Sequence, residues 1–194
     1  MHQFMNKLAR YMAIIGGAIL TLLILLTCVS VLGRTLNTLF HSDFAQTLLG
    51  GFAQTILDTG VGPVLGDFEI VEAGIAFAIF SFIPLCQITG GHASVDIFTT
   101  ALPVRANRFI QMIVELLFAA VLILIAWRLY EGMSSKMRYQ ETTFLLQFPI
   151  WWAYAASLLA GCVSAVVSVY VAVIRVAEFF QNRTIIHIGG GAEH

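Results

Sequence analysis

The chain has 194 residues, of which 59% are hydrophobic and 11% charged, and its formal net charge is −1. A soluble domain carries about a quarter charged residues; so few charges cannot cover a water-facing surface, and the mean hydropathy of +0.88 points to lipid as the solvent. No Lys/Arg run forms the basic footprint that nucleic acid requires, and Cys28, Cys86 and Cys162, without CxxC spacing, suit neither a disulfide framework nor a zinc site.

A spanning helix needs about 20 mostly apolar residues. The first such stretch is 11–32, with no charge inside it. Lys7 and Arg10 precede it as in a signal peptide. The run is longer than a signal h-region, however, and Thr27-Cys28-Val29-Ser30 is a poor cleavage site, so a retained span is expected. In segment 43–58, Phe44, Leu48, Phe52 and Ile56 recur every fourth residue while Gln46, Gln54 and Asp58 point elsewhere. That pattern predicts an amphipathic helix lying in the membrane interface. The second span is expected at 70–88, interrupted by Pro84. Gly90-Gly91 ends it, and Val95, Phe98 and Leu102 then share one face, which predicts a short interfacial helix over 93–102 stopped by Pro103. Spans three and four are expected at 109–127 and 150–174. The expected architecture is an all-α membrane protein: a single membrane domain, residues 1–194, of four transmembrane helices plus short amphipathic interfacial helices.

Loop charge sets the expected orientation. Lys7, Arg10, Arg105, Arg108, Arg175 and Arg183 fall on the side of the termini, and Arg34, Arg128, Lys136 and Arg138 on the other. This bias predicts both termini in the cytoplasm. Trp127, Trp151 and Trp152 then fall on the outer side as interface anchors, since an indole has one apolar end and one that hydrogen-bonds.

Few residues carry chemistry. Haem ligation in a membrane needs facing histidines at depth, and His2, His41, His92, His187 and His194 all lie outside the spans. No GxSxG, HExxH or P-loop pattern is present, so neither a catalytic site nor a cofactor is expected. Glu115 is the one ionisable residue well inside a span. It admits a proton or ion step, or a hydrogen bond to another helix; without a second acid, His or Lys at similar depth the second reading is preferred. Glu69 and Glu72 share a face at the start of span two, where acids complement the helix dipole. The sharper reading pairs them with Arg34, clamping spans one and two. His92 and Asp96 share a helical face. They suit a surface hydrogen bond or cap, or else docking to a partner loop.

Gly33-Arg34 closes the first span and Glu69-Ile70-Val71-Glu72 opens the second. Gly91-His92-Ala93-Ser94-Val95-Asp96 and Leu102-Pro103 follow, and Thr142-Thr143-Phe144-Leu145 with Phe148-Pro149-Ile150-Trp151-Trp152 leads into the fourth. With these motifs the chain resembles the DctQ-type small permease family of tripartite ATP-independent periplasmic (TRAP) transporters over residues 8–178. The resemblance implies a non-catalytic subunit in a bacterial inner membrane. Its implied partners are a large permease that holds the sodium and substrate sites, a periplasmic substrate-binding protein and membrane lipids. Transport would be sodium-coupled, of a carboxylate such as a dicarboxylate, keto acid or sialic acid. The chain departs from the family pattern in the long stretch from Leu36 to Asp67, where a short link is usual. From the residues alone, a redox-complex anchor would need histidines inside the spans, and a free-standing four-span protein would need no partner. A charged solute needs polar or cationic groups at membrane depth, and the expected spans contain no Lys or Arg, so a support rather than a conduit is expected.

Overall fold

The computed structural model describes residues 2–42, 51, 60, 62–91 and 104–181. Among the described residues, four helices are long and apolar enough to cross a membrane: α1 (His2–Phe40), α2 (Asp67–Thr89), α3 (Val104–Tyr139) and α4 (Trp151–Gln181). The expected interfacial helices at 43–58 and 93–102 fall, Gly51 apart, outside the described residues.

The helices run further than the hydropathy of the sequence suggests. α1 has 39 residues and α3 has 36. At 1.5 Å per residue these reach roughly 58 and 54 Å, against a hydrocarbon core of about 30 Å. Hydropathy registers only the lipid-soluble part, whereas nothing in Arg128–Arg138 stops a helix. That stretch, expected as loop, is helical. Arg128 and Glu131 pair across one turn at 2.8 Å, and Lys136 and Arg138 in the last turn complement the dipole. α3 stops where Gln140 adopts a positive φ of 51°.

The packing order is α1–α2–α4–α3. α2 runs antiparallel to α1: Gly16 of α1 faces Ser81, and Ser30 faces Asp67. α4 runs antiparallel to α3, Gly132 facing Tyr154 and Phe109 facing Phe179. α1 touches α4 only near the chain termini, where Ala9, Ile88, Val167 and Val171 form a buried cluster and His2 stacks on Tyr170 at 6.3 Å. Of the two inner helices, α4 has 44% of its apolar stretch buried and α2 17%, against 17% and 11% for the edge helices α1 and α3. Both edge helices expose large apolar side chains, among them Leu22, Leu25 and Leu32 on α1 and Val114, Leu117 and Leu124 on α3. So continuous an apolar surface belongs in lipid or against another membrane protein.

Lipid tails are as apolar as leucine, so close packing and interhelical hydrogen bonds hold such helices together. Small residues make that approach possible. A Cβ on Gly16 would stand 2.6 Å from the Ser81 Cβ, so α1 and α2 meet at this distance only with glycine there. α4 buries Ser157, Ala160, Gly161, Ser164 and Ala165 along its packed side.

Pro84, an expected interruption, lies buried inside a continuous α2. Proline has no N–H to give to the carbonyl four residues back, here that of Phe80. Ser164 of α4 donates to this carbonyl at 2.7 Å, sharing its one proton with the Ala160 carbonyl of its own helix at 2.8 Å. A helix break that would be costly in lipid is thereby tolerated, because a neighbouring helix supplies the missing donor.

Candidate functional site: the two charged ends of the bundle

The charged residues gather at the two ends of the bundle. The terminal end holds the start of α1 and the end of α4; the far end holds the α3–α4 connection.

At the far end the chain returns from residue 62 onto the end of α1. Ser30 accepts from the Val64 N–H at 3.3 Å and donates to the Asp67 carboxylate. Arg34 stands 3.9 Å from the same carboxylate. The clamp between α1 and α2 therefore uses Asp67, not Glu69 or Glu72. The reason is where α2 begins: Asp67 is its first residue, against α1, and Glu69 lies roughly 200° further round the helix. Gly33 belongs to the same contact, since a Cβ there would run into the Gly62 carbonyl.

Glu69 faces the α3–α4 connection, where its two carboxylate oxygens accept from the N–H groups of Leu145 (2.6 Å) and Leu146 (2.9 Å). The connection is a tight turn in which Thr143 N–H donates to Phe148 O at 3.0 Å and Ile150 N–H to Glu141 O at 3.0 Å. The Thr-Thr-Phe-Leu and Phe-Pro-Ile motifs thus build a turn that an α2 carboxylate holds from inside. Beside it a cavity of about 330 Å³ opens between α2, α3 and α4, lined by Glu72, Leu129, Phe148, Tyr154 and Ser157. Glu72 is exposed on its wall.

Trp151 and Trp152 stand at the start of α4, their rings 6.0 Å apart and edge to face. Trp127 is 65% exposed on α3. The register that sets Gly132 beside Tyr154 places Trp127 about 12 Å nearer the terminal end than Trp151, so the three do not share one depth.

At the terminal end Lys7, Arg10 and Arg105 are exposed, but a second set of polar groups is drawn in between the helices. Gln87 of α2 donates to the carboxylate of Glu115 on α3. Arg175 of α4 acts on Glu115 electrostatically and pairs with Glu178 at 2.8 Å, the two side chains only 12% and 4% exposed. Among the described residues the buried Arg175 Nε meets no acceptor. Three helices are joined here by one polar cluster. Glu115 was visible in the sequence; Gln87, Arg175 and Glu178 were missed. Arg175 falls one residue past the expected end of span four, where an arginine reads as hydrated. Its spacing of three from Glu178 was the available signal. Arg175 is thus engaged by acids of its own bundle. His92 and Asp96 lie outside the described residues.

Residues 47–179 match the family described as tripartite ATP-independent periplasmic transporters, DctQ component. The chain belongs to this DctQ family. The match begins after α1, so Gly33-Arg34 falls outside it, while Glu69, Glu72, Glu115, Arg175 and the turn at 142–149 fall within. No curated protein and no solved structure matches the chain. DctQ proteins are components of transporters, not enzymes, and this multi-pass membrane protein is accordingly the small subunit of a TRAP transporter, a system that also includes a large permease and a substrate-binding protein.

Proposed function

We propose that this DctQ chain is the scaffold on which a large permease works during sodium-coupled uptake of an organic acid such as a C4-dicarboxylate, in the bacterial inner membrane with both termini cytoplasmic. Membership of the DctQ family over residues 47–179 is the observation that carries the reading. The packing supports a static role. Small side chains close the seams between helices, and Gln87, Glu115, Arg175 and Glu178 at the terminal end engage one another. An anion crossing the membrane needs cationic or polar groups along its path; substrate and sodium would therefore bind in the large subunit, fed by the periplasmic binding protein. Arg34 and Glu69 shape the far end, and Glu72, exposed beside the far-end cavity, is assigned to partner contact. His92 and Asp96, which follow α2 in sequence, are assigned likewise, and Trp127, Trp151 and Trp152 to the lipid interface.

Reconstitution tests this reading. Proteoliposomes holding both membrane subunits, supplied with the binding protein, are expected to accumulate the organic acid under an inward sodium gradient; those holding only this chain are expected to take up none. Uptake by this chain alone overturns the proposal. Glu115→Gln keeps a side chain that can hydrogen-bond Gln87 and is expected to leave uptake largely intact; loss of uptake with normal assembly would make Glu115 part of the transport path.

A further inference from the structure

At the terminal end, on the outside of the α3–α4 pair, Arg105, Arg108, Phe179 and Phe180 line a second cavity of about 280 Å³. It is separate from the buried Glu115–Arg175 cluster, and no step of the transport reading uses it. We propose that this cavity is a headgroup site for an anionic phospholipid.

The depth is right for a headgroup. The apolar run of α3 begins at Phe109, immediately after Arg108, so the two arginines stand where the hydrocarbon ends. Arg105 and Arg108 are three residues apart and so share a helical face. A guanidinium meets a phosphate with charge-assisted hydrogen bonds, and the two charged oxygens of a phosphodiester can each accept from either of two arginines. Glu178, beside Phe179 in sequence, pairs with Arg175 at 2.8 Å, and the cavity's own lining carries two cations and no acid.

The remaining walls select a lipid over a free anion. Phe179 packs on Phe109 at 5.8 Å and on Phe180 at 5.7 Å, and Phe180 is 79% exposed. Phenyl rings give nothing to inorganic phosphate, but they offer apolar surface to the glycerol and first methylenes of a lipid whose phosphate lies on the arginines. Volumes of about 300 Å³ are the small end for organic ligands; such a space fits a headgroup with its acyl chains left in the bilayer. Basic pockets at the ends of membrane helices bind anionic lipids by this chemistry. The site requires only that the chain reside in a membrane, so it stands or falls independently of the transport reading.

Native mass spectrometry of the full chain in mild detergent, titrated with phosphatidylglycerol or phosphatidylcholine, tests it. The wild type is expected to retain phosphatidylglycerol in preference to phosphatidylcholine. Arg105→Gln with Arg108→Gln is expected to weaken that retention by about fivefold per arginine, while Arg34→Gln at the far end leaves it unchanged. Arg108 has further contacts, so the exposed Arg105→Gln alone serves if the double variant does not fold, with about a fivefold loss expected. Equal retention by wild type and variant overturns the proposal. So does complete displacement of the lipid by millimolar inorganic phosphate, which would make this a free-anion site, or preference for an acidic peptide over phosphatidylglycerol.

Discussion

The two ends of the bundle use the same residue types to opposite effect. At the far end Arg34 is 65% exposed and stands 3.9 Å from Asp67. At the terminal end Arg175 and Glu178 are 12% and 4% exposed and 2.8 Å apart, with Glu115 and Gln87 closing the cluster from two other helices. An exposed pair is weakened by water and salt, while a buried one has surrendered its hydration and depends on its partner. The far end should therefore tolerate loss of the Arg34 charge, and the terminal end should not tolerate loss of Arg175. The far end holds its shape by backbone contacts instead: the Glu69 carboxylate on two amides, and Gly33 against the Gly62 carbonyl.

The largest effect is expected at Arg175. Arg175→Met removes the cation that pairs with buried Glu178 at 2.8 Å and acts on Glu115. Breaking a buried pair from one side costs about 3–5 kcal/mol, so a sharp fall in the unfolding midpoint is expected in detergent-based thermal melts. Adding Glu178→Leu removes the stranded charge and should restore much of that loss, because replacing both members by apolar groups is often close to neutral. A single variant as stable as wild type would show that water reaches this cluster and that the two ends do not differ as described.

A smaller effect is expected midway between the ends, at Ser164. Ser164→Ala leaves the Phe80 carbonyl without the donor it receives at 2.7 Å, a loss of about 1 kcal/mol for one interhelical hydrogen bond in a membrane. Pro84→Ala restores the α2 N–H that normally fills this carbonyl. In the Pro84→Ala background, Ser164→Ala should therefore cost less than in the wild type. Equal costs in the two backgrounds would mean that Ser164 does not compensate for the proline.

The four-helix architecture was legible because it follows from hydropathy, a property summed over about 20 residues that tolerates local error. Pairing is a property of single side chains and depends on which way each points. Arg34 pairs with Asp67 rather than with Glu69 or Glu72, because the apolar run that marks span two begins at Ile70 and conceals that α2 starts at Asp67. Arg175 was assigned to water because a charge at the end of a hydropathy window is normally hydrated; that α4 continues to Gln181 and packs there against α3 is tertiary information. The Thr-Thr-Phe-Leu and Phe-Pro-Ile motifs were recognised without their purpose. What they provide, two amides aimed at Glu69, involves the backbone, which residue types do not reveal.

The smallest effects should come from the far end, where they separate two kinds of contact. Glu69→Gln weakens acceptance from Leu145 and Leu146 by replacing a carboxylate with an amide that has one acceptor oxygen. The turn at 141–150 should then loosen locally, seen as faster hydrogen exchange at those two amides while the helices stay protected. Arg34→Glu changes only a long, exposed ion pair. It puts a second acid beside Asp67, so assembly with the permease should weaken slightly at low ionic strength and recover as salt rises, because exposed charges are screened within about 10 Å at 0.1 M. If Arg34→Glu instead abolished the complex at every salt concentration, Arg34 would have to be buried in the assembled transporter, and the far end would obey the same rule as the terminal end.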